Sequence, residues 1–129
     1  MLVVDASFLA PVVADGGDDG SRFRERLRGD TVIGPDLLRL EVVSVLRRHA
    51  DNGSLTSEQA NAAVDDLRSF PINVYPTAPL LSRVWELRHN VSAYDGCYVA
   101  LAEAVGCPLL TADRRLGNAP GIRCIVEVM

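Results

Sequence analysis

Short apolar runs alternate with longer stretches of helical period along the whole chain. Residues 2–4 form a β-branched run that ends at Asp5 and passes into an apolar helical stretch over 8–14. The cluster at 15–20, rich in Asp and Gly, reads as a turn, and 22–28 as a charged helix with Phe23 and Leu27 on one face. A second strand is predicted over 31–34. Pro35 and Asp36 then start a helix over 37–50, which Asp51, Asn52 and Gly53 close. Thr56 and Gln59 have capping-box spacing at the head of a helix reaching Ser69, with Ala60, Ala63, Val64 and Leu67 as its apolar stripe. Further elements are a strand over 72–75, a helix over 79–87, a helix over 93–105 capped by Ser92, and strands over 107–111 and 123–128. Strands alternating with helices predict βα units, a mostly parallel sheet and helices on both faces. Ligands of such sheets bind at the carboxyl ends of the strands, where the strand order reverses.

The chain has 129 residues, the size of one domain, so a single domain over 1–129 is expected. Hydrophobic residues at 48% against 5% aromatics indicate an aliphatic core and exclude disorder. No apolar run approaches the roughly 20 residues of a membrane helix, and Asp5 stands where a signal peptide is basic. A cytoplasmic protein is the expectation. Cys97, Cys107 and Cys124 match neither a disulfide framework nor a zinc motif and read as small core residues; His49 and His89 are isolated. Leu80, Leu81, Val84 and Trp85 lie at helical spacing and read as core, or else as support for a homodimer.

All 13 basic residues are arginine. The absence of lysine removes P-loop, Schiff-base and Ser-Lys chemistry, each of which needs an ammonium at a fixed place. No Gly-x-Gly-x-x-Gly follows the first strand, which argues against dinucleotide binding. A net charge of −4 excludes a protein that wraps nucleic acid by charge alone.

Acidic residues carry the remaining chemistry. Asp5 closes the first strand and is equally suited to cap the helix that follows it, a role Ser7 could also fill. Glu41 falls within an apolar neighbourhood of its helix, either pairing with Arg48 or meeting a cation. Asp95 stands in the first turn after Ser92, and Asp113 follows the fourth strand; both positions also suit helix capping. If the first strand is central, Asp5 and Asp113 end neighbouring strands about 4.8 Å apart. Carboxylates that converge without a counter-charge imply a divalent cation, and hard oxygen donors select magnesium or manganese over zinc.

These residues resemble the PIN-domain ribonucleases, and most closely the VapC-type toxins of bacterial toxin–antitoxin pairs. The carriers are Val-Val-Asp5-Ala-Ser7, Glu41 in Leu-Glu-Val-Val, Ser-Ala-Tyr-Asp95-Gly-Cys-Tyr-Val-Ala-Leu-Ala, and Leu-Leu-Thr111-Ala-Asp113-Arg-Arg-Leu. Gly96 stands where many relatives have alanine. The resemblance implies a three-layer α/β/α sandwich, acids that bind Mg2+ or Mn2+, RNA phosphodiester cleavage, and inhibition by a small antitoxin. Asp5, Asp95 and Asp113 would then hold the metal, with Glu41 completing its shell or positioning the attacking water. Ser7 and Thr111 would be hydrogen-bond partners behind the acids, and Arg114 and Arg115 phosphate contacts. Two alternatives keep the fold: a housekeeping RNA-processing nuclease without an antitoxin, and a catalytically silent interaction module, which should lack one or more of the acids.

Overall fold

In the computed structural model, which describes residues 1–129, the chain runs β1 (Leu2–Val4), α1 (Ala6–Ala14), α2 (Asp18–Leu27), β2 (Val32–Pro35), α3 (Leu38–Asp51), α4 (Ser57–Ser69) and β3 (Asn73–Tyr75). A 3-10 turn (Ala78–Leu80) leads into α5 (Leu81–Glu86), followed by α6 (Ala93–Val105), β4 (Leu109–Thr111), α7 (Arg114–Gly117) and β5 (Val126–Val128). The sheet is parallel throughout, in the order β3-β2-β1-β4-β5. Helices flank it in an α/β/α arrangement: α6 packs on β1, β2 and β4 and carries α5, while α1 packs against α2, α3 and α4.

β1 is central, and the order reverses between β1 and β4. The switch point therefore falls at Asp5 and the segment after Thr111. Residues of β1, β2 and β4 are buried, from Leu2, Val3 and Val4 through Val32 and Ile33 to Leu109 and Leu110. That explains why these strands read as unbroken apolar runs rather than alternating ones. Phe8 of α1 stacks on Phe23 of α2 with ring centroids 4.7 Å apart, closing the core at that side. No helix is long and apolar enough to cross a membrane.

Most element boundaries move by a residue or two, for identifiable reasons. α1 begins at Ala6 because Asp5 itself is the N-cap. α2 begins at Asp18, inside the stretch expected to be a turn, with Asp18 and Asp19 favourably placed at the positive helix end. Gly20 is there because nothing larger fits: a Cβ would lie 2.0 Å from the Asp15 carbonyl oxygen. Pro35 ends β2 rather than opening α3, and the next amide, Asp36, donates to Tyr75 O at 2.9 Å. A proline at a strand end costs little, since its missing N–H is not needed there. Thr56 and Gln59 form the expected capping box, Ser92 caps α6, and Gly106 ends α6 in the left-handed region at φ 77°. The apolar residues of α5 divide: Leu80 and Val84 pack inward, whereas Leu81 and Trp85 are 59% and 67% exposed, so the core reading fails for those two. All three cysteines are free thiols.

Gly96, in the first half of α6, has room for a side chain. A Cβ there would meet Val84 Cγ1 at 3.5 Å and Val91 Cγ2 at 3.6 Å, ordinary van der Waals distances. Gly96→Ala is therefore expected to stabilise the protein by about 0.5–1 kcal/mol through helix propensity. Thermal melting checks it, and a lowered melting temperature would show that α5 and α6 cannot accept a methyl group.

Candidate active site

Asp5 is pinned from three directions although it is only 4% exposed. Its Oδ1 accepts from the Ser7 hydroxyl at 2.6 Å and from the Phe8 amide at 3.0 Å. Its Oδ2 accepts from the Thr111 hydroxyl. A carboxylate offers about four lone-pair sites, so one site on Oδ2 is left over for another ligand. The same contacts tie β1 to β4: Ser7 Oγ lies 3.2 Å from Thr111 Oγ1 and accepts from the Ala112 amide at 2.9 Å, while Thr111 Oγ1 accepts from the Asp113 amide at 3.0 Å. Ser7 and Thr111 thus stand behind Asp5 as hydrogen-bond partners, and Asp5, not Ser7, caps α1.

Glu41 sits in the first turn of α3, half-buried, and makes no ion pair with Arg48. Its Oε1 instead accepts from the Tyr98 hydroxyl at 2.5 Å. Asp95 stands in the first turn of α6, its amide donating to Ser92 Oγ at 3.1 Å, and it makes no ion pair. Asp113 caps α7, accepting from the Arg115 amide at 2.9 Å.

The acids sense one another. Burial holds the Asp5 carboxyl above its usual range, with Ser7, Thr111 and Phe8 opposing and the charge of Asp95 adding. Burial likewise raises Glu41, against the Tyr98 hydrogen bond, and Asp95 and Asp5 push it further. Asp95 is raised by burial first and then by Asp113. Asp113 moves the other way, lowered chiefly by its hydrogen bonds with Arg115. Asp5, Glu41 and Asp95 thus act on one another, and Asp113 reaches the group through Asp95.

The expectation of acids without a counter-charge needs correction. Arg115 folds back on Asp113, with Nε 3.3 Å from Oδ1 and Nη2 3.2 Å from Oδ2, and its charge also reaches Asp95. Both arginines are exposed: Arg115 pairs with Asp113 at the surface, and Arg114 makes no ion pair. Nor do any three His, Cys, Asp or Glu side chains form a ready metal cage. Mg2+ characteristically keeps several waters and takes one or two carboxylates directly. The open oxygens of Asp5, Glu41 and Asp95 are hard donors suited to that kind of site, and their raised carboxyls are what a cation would relieve.

Tyr98 is the site residue that sequence reasoning passed over. It is 1% exposed, and a buried tyrosine hydroxyl needs a partner, which was the available signal. Beside the acids a cavity of about 560 Å³ opens between α1, α3 and α4, lined by Ser7, Pro11, Val45, Arg48, His49 and Leu55 among others.

Comparison with known proteins places the fold and the family. The PIN domain family matches residues 2–122. Ribonuclease VapC1 of Mycobacterium tuberculosis is 41% identical over 98% of this chain and 96% of its own length, and Ribonuclease VapC9 of the same organism is 38% identical over 100% and 98%. Among solved structures, the Mycobacterium tuberculosis toxin VapC20, which cleaves the sarcin-ricin loop, superposes with a TM-score of 0.70 at 20% identity, covering 95% of this chain and 97% of that one. VapBC2 of Rickettsia felis, bound to a promoter DNA fragment, superposes at 0.69 and 16% identity over 99% and 98%. The fold, the family match and the full-length kinship to VapC ribonucleases agree, and the chain belongs to the PIN domain family.

Proposed function

We propose that residues 1–129 form one nuclease domain, a Mg2+- or Mn2+-dependent endoribonuclease that acts as the toxin of a toxin–antitoxin pair. The observation that carries this reading is Asp5: a buried carboxylate at the end of the central strand, fixed by three donors and left with one free lone pair beside Asp95. Burying such a group without use is costly. Kinship to ribonucleases along the full chain supports RNA as the substrate.

Asp5, Asp95 and Asp113 are the residues that would hold the cation, Asp113 in exchange for its surface pair with Arg115, with Glu41 beside them. When bound, it supplies Lewis-acid charge to a phosphodiester and a water of lowered pKa. The protein's own contribution is placement. Ser7, Thr111 and the Phe8 amide fix the Asp5 carboxylate, so it need not reorganise when charge develops nearby. Glu41, with Oε2 free of protein donors, orients or deprotonates a water at the edge of the acids. Arg114 is free to meet a backbone phosphate, and Arg115 does so once Asp113 turns to the cation.

The antitoxin is expected to cover the acids with a basic side chain and to seat neighbouring apolar groups in the cavity beside Ser7. The exposed Leu81 and Trp85 suit a second copy of the chain. A cytoplasmic location accords with an RNA substrate.

Sequencing RNA ends after induced expression tests the function. Recurrent new ends with the intact protein, absent with Asp5→Asn, support it; identical ends in both contradict it. A small reading frame immediately upstream whose product suppresses those ends distinguishes the toxin from a housekeeping nuclease.

A further inference from the structure

Tyr98 belongs to none of the roles above, yet its hydroxyl joins two helices at the acid edge. It lies three residues after Asp95 in α6, almost one helical turn along, and donates to Glu41 Oε1 in α3 at 2.5 Å. The ring is 1% exposed and cannot follow Glu41 into solvent. Glu41 Oε2 takes no protein donor, and because no buried side-chain oxygen lacks a partner, Oε2 is open to water.

The need of a buried hydroxyl for an acceptor does not explain the pairing by itself. A backbone carbonyl would meet that need without drawing a carboxylate out of solvent. The terminal torsion of a glutamate is broad and roughly two-fold, so an unrestrained Glu41 would sample many orientations. One short hydrogen bond to Oε1 removes that freedom and leaves Oε2 as the oxygen available for work. We propose that Tyr98 is a positioning residue that fixes Glu41 so that Oε2 alone faces the water shell of the cation. The nuclease reading is needed only for the activity half of this proposal.

A double-mutant cycle tests it, with the full chain freed of metal and titrated with Mn2+ by calorimetry. The forms are the parent, Tyr98→Phe, Glu41→Gln and the double variant. Tyr98→Phe deletes one oxygen and no ring volume, and melting checks its fold. Glu41→Gln keeps an oxygen that accepts from Tyr98 and reports on the pair from the other end. Tyr98→Phe is expected to weaken Mn2+ binding about tenfold, the usual size of such an outer partner's effect. The double variant should bind no worse than Glu41→Gln alone, because Tyr98 acts through Glu41. RNA cleavage by Tyr98→Phe should fall by about the same factor. Parent-like Mn2+ binding by Tyr98→Phe overturns the proposal, as do losses that multiply in the double variant. A coupled cycle in a protein that cuts no RNA keeps the positioning role and removes the nuclease reading.

Discussion

Asp5→Asn is expected to lower RNA cleavage at least about a hundredfold while raising the melting temperature of the metal-free protein. The two effects have one cause. Burial lifts the Asp5 carboxyl above its usual range, so keeping it ionised in the fold costs free energy that unfolding recovers. Asparagine caps helices as well as aspartate does and keeps an oxygen for Ser7 and the Phe8 amide. Its amide group can donate to Thr111, whose hydroxyl then turns. Removing the charge should therefore stabilise by about 1 kcal/mol, or about 3–5 °C for a chain of this length. The gain depends on pH in a definite direction. Below the ordinary carboxylate range Asp5 is protonated in both states and the variant gains nothing. The gain grows as pH rises past the unfolded value of about 4 and is complete above the raised folded value. With Mn2+ at a hundredfold excess over its dissociation constant the parent should gain about 2.7 kcal/mol, and the variant less. A variant that melts lower and cuts RNA normally would reduce Asp5 to a helix cap.

Thr111→Val should, by contrast, lose stability. Thr111 is fully buried at the end of β4, donates to Asp5 Oδ2 and accepts from the Asp113 amide. Valine keeps the shape but leaves both partners unmatched, one of them charged. Each unmatched buried group costs about 1–3 kcal/mol, so a total of about 2–6 kcal/mol is expected. Denaturant unfolding measures it through a lower midpoint at unchanged slope. Cleavage should fall as well, since Asp5 is then held through Oδ1 alone, by Ser7 and the Phe8 amide. A loss under about 0.5 kcal/mol, the scale of an inert surface change, would mean that water replaces the hydroxyl and that Thr111 does not hold the acids.

Where the sequence was legible, single residues carried enough information. Thr56 with Gln59, Ser92 and the strand-ending acids announce themselves by local chemistry, and the βα alternation then brings β1 beside β4. It was not legible where a neighbour distant in sequence decides. Gly20 looked like a turn residue because the Asp15 carbonyl that excludes a side chain there is visible only in three dimensions. Leu81 and Trp85 share helical spacing with Leu80 and Val84, and periodicity does not reveal how wide a stripe the α6 surface covers. Glu41 chose Tyr98, fifty-seven residues away, over Arg48 two turns along its own helix. Arg115 was read as a phosphate contact from its position, and the bonds it makes to Asp113 depend on the conformation of α7.

Cation dependence is tested by cleavage of total RNA by the purified chain after exhaustive chelation, with Mg2+ or Mn2+ then restored. The acid edge offers no electrophile of its own, so cleavage should disappear with the metal and return with either ion. Full cleavage in excess chelator would mean that the acids do not work through a cation.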